Sequence, residues 1–164
     1  MLFISTSGAL GRYIDLPVPV TIGLRAILAL FFLLLYCKWK GISLVIQKKH
    51  LLTVLTSGLL MGLHWLTYFY ALKLSNVAIG MISLFTYPIL TAFLEPLLLK
   101  TKLQKAHLML GLLVLLGIYF LVPSFDLENK YTVAVAVGVL SALFYALRNL
   151  ILKTKVFLLL FPLN

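Results

Sequence analysis

The sequence is poor in charge and nearly empty of acid: of 164 residues, four are Asp or Glu and one is Cys. A single cysteine, Cys37, excludes an intrachain disulfide and a thiolate metal cluster. Its place near a helix end suits a small apolar filler. Three of the acids, Asp15, Asp126 and Glu128, fall in connecting loops away from any His, so they form no catalytic pair. HExxH, GxGD and GxSxG patterns are absent, as are a metal-ligand cluster and a P-loop. Neither an enzyme nor a cofactor is expected. The first residues also lack a basic n-region ahead of their apolar run, so no secretory leader is expected.

What the chain does have is apolar surface. Hydrophobic residues make up 63% and charged residues 11%, with a mean hydropathy of +1.12. A soluble domain is about half apolar and about one quarter charged. This composition belongs in a lipid bilayer, the first partner the sequence implies. A formal charge of +10 could suggest nucleic acid. The basic residues, however, sit in short gaps between apolar runs, and nucleic acid is not expected as a partner.

Six apolar segments are cut out by this charged punctuation: 1–14, 18–39, 51–72, 77–99, 106–122 and 131–152. A span needs roughly 20 residues to cross about 30 Å of hydrocarbon. On that measure all but the short first segment are long enough. Continuous runs, not alternating ones, indicate helices rather than barrel strands. The fold expected is therefore all-α, a polytopic transmembrane helix bundle. Orientation follows from the basic residues. With the N-terminus inside, Lys38, Lys40, Lys48, Lys49, Lys100, Lys102, Lys105, Lys153 and Lys155 are cytoplasmic, and Arg12, Lys73 and Lys130 are outside, nine against three.

On such helices the polar residues carry the information, since each costs free energy unless it meets a partner or water. In the third segment Ser57, Met61, His64 and Tyr68 share a face, with Trp65 adjoining. In the fourth, Ser83, Tyr87, Thr91 and Glu95 recur every fourth residue. The sixth carries Gly138, Ser141, Tyr145, Arg148 and Asn149, the second Thr21 and Arg25, and the first Ser5, Gly8 and Arg12. The fifth has no side chain more polar than Tyr119. The pattern predicts one polar cavity walled by segments one to four and six, with segment five a peripheral strut.

Each residue also has a structural reading. Ser57, Ser83 and Thr91 can bond their own helix backbone and are individually better read as packing residues. For His64 a structural hydrogen bond and a substrate contact are equal readings. Arg25 can snorkel to the interface, but a cavity-facing role suits a mid-helix cation better. Glu95 either pairs with Lys100 or Lys102 or takes a proton-coupling or substrate role. Gly58 and Gly62 form a small-xxx-small pair that predicts close helix packing. Pro88 predicts a kink near Leu84, whose carbonyl it cannot bond.

The stretch from Tyr68 to Leu121, YFYALKLSNVAIGMISLFTYPILTAFLEPLLLKTKLQKAHLMLGLLVLLGIYFL, resembles the EamA-like branch of the drug/metabolite transporter superfamily. The residues that carry the likeness are the helix end Ala71-Leu72-Lys73, the Tyr87-Pro88 step, a basic turn, and a helix with Gly111 and Gly117. Leu24-Arg25-Ala26 is similar to the family's Arg early in its second helix. The likeness covers residues 1 to about 153. It implies ten helices in two inverted five-helix repeats and export of amino acids or other small metabolites across the plasma membrane, here a bacterial inner membrane. Residues 1–122 would be the first repeat, 123–130 an outer loop, 131–153 the first helix of the second repeat, and 154–164 an atypical tail. The substrate pathway it implies passes Arg25, His64, Trp65, Tyr68, Ser83, Tyr87, Thr91, Glu95, Tyr145 and Arg148, with Gly58, Gly62, Pro88, Gly111 and Gly117 at packing or kink positions.

The sequence departs from the family in two ways. Thr101 stands where members often carry a Glu, and Val156–Asn164 (VFLLLFPLN) does not supply four further helices. A truncated product is therefore expected, and with it the alternatives of a transport-inactive membrane fragment or a need for a second half or homodimer. A small multidrug-type dimeric exporter is a further alternative, although its acid in the first helix has no counterpart here.

Overall fold

A computed structural model describes residues 14–99, 105–121 and 128–160. It contains helices α1 (Val18–Trp39), α2 (Lys48–Leu74), α3 (Val77–Leu84), α4 (Tyr87–Leu99), α5 (Lys105–Leu121) and α6 (Lys130–Leu160), and no strand among the described residues. The fold is all-α. Among the described residues, four spans are long and apolar enough to cross a membrane: α1, α2, α3 with α4 taken together, and α6 as far as Thr154. Helix α5, the fifth expected span, is described over 17 residues, about 26 Å at 1.5 Å per residue, at the short end of the range for a crossing. The first segment lies outside the described residues except for Ile14, as do the 123–127 stretch, Lys100, Thr101 and Lys102.

Local chemistry sets the helix ends. Pro17 precedes α1, where a missing N–H costs nothing. Gly41 closes α1 with φ +65°, a left-handed conformation that a side chain would strain. Between α2 and α3 the turn is tight: the Ser75 hydroxyl donates to Ala71 O at 2.8 Å, and Asn76 Oδ1 accepts from Ile79 N at 2.9 Å. Lys73, in the last turn of α2, donates to the carbonyls of Ile14 and Leu16, both at 2.8 Å, and so ties the entry of α1 to the exit of α2.

The fourth segment is broken. α3 stops at Leu84 and α4 restarts at Tyr87, with the Thr86 hydroxyl donating to Ser83 O at 2.7 Å in the gap. The break falls at the carbonyl that Pro88 cannot bond. A second interruption of the hydrogen-bond ladder, Pro96, lies inside α4. Two boundaries differ from the sequence reading. α2 begins at Lys48 instead of 51, because lysine stems can follow a helix into the interface while the ammonium stays in water. α6 continues to Leu160, beyond the expected 152–153, through the start of the supposed tail.

The core is the junction of α2 and α6, with α3 and α4 also against α6. Small residues recur along α6 at Ala134, Gly138, Ala142 and Ala146, of which the alanines are fully buried. Lipid removes the hydrophobic drive between helices, so close backbone approach and dispersion must hold them. The tightest point is Gly138: a Cβ there would lie 2.5 Å from Ser83 Cβ. Gly111 plays a milder version of this part, its notional Cβ 3.1 Å from Ile89 Cγ2.

Nothing among the described residues lies within 4 Å of a Cβ at Gly58, Gly62 or Gly117, so the close packing expected at these positions is not made by any described residue. Spacing alone cannot say which small face meets a partner. α5 leans on α3 and α4 and exposes Leu112, Leu113, Leu116 and Phe120, which suits a strut. α1 is equally peripheral, resting mainly on α2 and exposing Ile27 to Leu35 almost throughout.

Candidate functional site

The i, i+4 spacing of His64 and Tyr68 turns both toward α6, where they are 4% and 5% exposed. His64 Nδ1 lies 3.1 Å from the carbonyl of Ser141 and 2.9 Å from its hydroxyl. The Ser141 hydroxyl donates to His64 O at 2.8 Å. That hydroxyl proton is therefore committed, so Nδ1 must carry the ring proton and Nε2 is left as the acceptor. The arrangement is a reciprocal clasp between α2 and α6. It fills the structural reading of His64 and leaves one ring nitrogen for other chemistry.

Around this clasp the rings converge. His64 lies 4.8 Å from Tyr145 and 5.4 Å from Trp65 between centroids, and stacks with Tyr68 at 6.3 Å. Tyr87 meets Tyr145 edge-to-face at 5.0 Å. These are favourable aromatic geometries, and they join α2, α4 and α6 into one row. At its Trp65 end, the Arg25 guanidinium sits 5.7 Å from the Trp65 centroid and 5.3 Å from Phe69. Cation–π contact of this kind offsets part of the cost of a cation in a span. Arg25 and Trp65, with Ile22, Ala26 and Ala29, line a cavity of about 190 Å³.

The other anticipated pathway residues are placed differently. Ser83 is fully buried and donates to Ile79 O at 2.7 Å, and Thr91 donates to Tyr87 O at 2.8 Å. Both use their hydroxyls within their own helix, as the structural reading has it. Glu95 pairs with Lys153 of α6 at 2.6 Å; Lys100 and Lys102, the partners anticipated, lie outside the described residues. Arg148 donates through Nη1 to Asn149 Oδ1 at 3.0 Å, while its Nε is buried with no partner among the described residues.

No described cavity is walled by five helices. Larger ones lie between α4 and α5, about 310 Å³ with Phe85, Pro88, Ile89, His107, Leu110 and Val114, and between α3 and α5, about 400 Å³ with Ile82, Leu113 and Gly117. They are apolar in lining. Among the described residues the polar stripes of α2, α4 and α6 meet in an aromatic row with polar groups at its edges. Ser141, on the polar stripe of the sixth segment but not among the pathway residues, and Phe69, not singled out at all, belong to that row. Phe69 could have been found from its spacing with Trp65.

Residues 1–122 match the EamA-like transporter family model. A relative named "Uncharacterized transporter", from Helicobacter pylori, is 33% identical over 92 residues, which is 56% of this chain and 30% of the relative. The chain therefore spans less than a third of that relative's length. No solved structure matches.

Proposed function

This chain belongs to the EamA-like transporter family, and from that premise we propose that it forms part of a secondary-active exporter of amino acids or other small metabolites. In this reading it is a multi-pass protein of the plasma membrane, a bacterial inner membrane, with the N-terminus in the cytoplasm. Residues 1–122 form the first five-helix repeat, the 123–130 stretch an outer loop, and α6 opens the second repeat. The observation that carries the proposal is the ring row of His64, Trp65, Tyr68, Tyr87 and Tyr145 at the junction of α2, α4 and α6, flanked by Arg25 and Arg148. Cations and tyrosine hydroxyls are expensive in lipid and are kept where a ligand or water repays them.

A second half or a second copy would bring a further helix to the small-residue faces at Gly58 and Gly62, which no described residue fills. The test is efflux of labelled amino acids from proteoliposomes that contain the chain. Flux above that of empty vesicles is expected, and Arg25→Ala should lower it about tenfold, equivalent to ~1.4 kcal/mol. Unchanged flux in Arg25→Ala removes that residue from the pathway. No flux at all favours the inert-fragment reading.

A further inference from the structure

Among the described residues the spans carry two guanidinium groups, Arg25 and Arg148, and one carboxylate, that of Glu95. Lys153 takes the carboxylate. Arg25 rests on two ring faces. Arg148 is different, because one nitrogen reaches Asn149 while its Nε–H is buried and unmatched among the described residues. A buried donor on a permanent cation is among the costliest groups to leave without an acceptor. Arg148 follows Tyr145 by three residues on α6, which places both on one helix face. Tyr145 in turn touches the rings of His64 and Tyr87. A cationic donor seeking an acceptor thus stands beside a run of aromatic faces.

We propose that the ligand of this site is an organic anion, its acid group held by Arg148 and its flat apolar body laid against Tyr145 and Tyr87. The acid group is a carboxylate or a phosphate, since the guanidinium fork suits both. The proposal rests on the transporter reading for access to substrate, and it narrows that reading. Among the described residues the spans have no free carboxylate to receive an ammonium, so an acid without a compensating amine is favoured over a zwitterion.

Trp39→Phe leaves Trp65, which lies in the row, as the sole tryptophan and reporter. Its fluorescence is followed in lipid nanodiscs of zwitterionic lipid during titration with phenylacetate, phenylacetamide, phenylalanine and phenethylamine. Phenylacetate is expected to bind saturably, with phenylacetamide about tenfold weaker, phenylalanine weaker than phenylacetate, and no binding of phenethylamine. Arg148→Lys should bind phenylacetate with intermediate affinity, and Arg148→Gln should lose the preference for acid over amide. If Arg148→Gln does not fold, the comparison of the four probes on the parent chain still decides.

Equal binding of acid and amide, or stronger binding of phenylalanine or phenethylamine, overturns the proposal. Adding an anionic phospholipid should leave phenylacetate binding unchanged; displacement by it assigns Arg148 to a lipid headgroup and also overturns the proposal. A chain that binds phenylacetate yet moves no solute defeats the transport reading and leaves this one standing. Flux of amino acids without any preference for phenylacetate does the reverse.

Discussion

Gly138→Ala is expected to destabilise the chain by about 1–3 kcal/mol, and Gly138→Leu by more, to the point of losing the native packing of α6. The added Cβ would come within 2.5 Å of Ser83 Cβ, an atom fixed to the backbone of α3 and unable to swing aside. Ser83 has no room to yield, being fully buried with its hydroxyl bonded to Ile79 O. Only a shift of α3 against α6 relieves the contact, and that shift carries the break between Leu84 and Tyr87 with it. Gly23→Leu is the reference, since nothing among the described residues lies within 4 Å of a Cβ there. Unfolding in detergent, followed by tryptophan fluorescence, reads both. Ser83→Gly combined with Gly138→Ala should recover most of the loss. Gly138→Ala as stable as the parent would remove the α3–α6 crossing from the account.

The second large effect is expected at the clasp. His64→Ala should cost about 2–4 kcal/mol, because it empties a buried ring site and removes the Nδ1–H donor from the Ser141 carbonyl and hydroxyl oxygens, while the Ser141 hydroxyl keeps its bond to the backbone carbonyl of residue 64. Ser141→Ala should cost less, about 0.6–2 kcal/mol, because Nδ1 can still donate to the Ser141 carbonyl at 3.1 Å. The double variant should fall short of the sum of the two by at least about 0.5 kcal/mol, since the groups share their bonds. Additive losses would mean that the two residues act independently. Equilibrium unfolding of the four proteins under one detergent condition supplies the cycle.

These two sites also show how far the sequence could be read. The spans were legible because continuous apolar runs interrupted by lysine have one physical meaning in a chain this poor in acid. The break before Tyr87 was legible because Pro88 acts on its own helix. The shared face of His64 and Tyr68 followed from helical period alone. Partnership was not legible. Ser141 lies 77 residues from His64, and Lys153 lies 58 from Glu95. Periodicity says which face a residue occupies, not which helix faces it. The glycines make the same point: Gly58 and Gly62 carry the familiar spacing yet meet no described residue, while Gly138 holds the tightest crossing among the described residues. Spacing put Ser83 and Thr91 on a polar stripe, while the chemistry of the hydroxyl favoured bonds to their own helix, and each is satisfied by a carbonyl one turn away.

The central claim is that the row joining α2, α4 and α6 is reached by water within the membrane. Because Cys37 is the chain's sole cysteine, Cys37→Ser yields a thiol-free background in which Tyr145→Cys, Tyr87→Cys and Leu116→Cys can each be tested. Leu116, exposed on the peripheral α5, serves as the lipid-facing reference. A membrane-impermeant thiosulfonate reacts only with thiolate, which forms in water and not in hydrocarbon. Reaction at positions 145 and 87 is predicted to be at least about tenfold faster than at 116. Reaction at both positions as slow as at 116 would contradict the account.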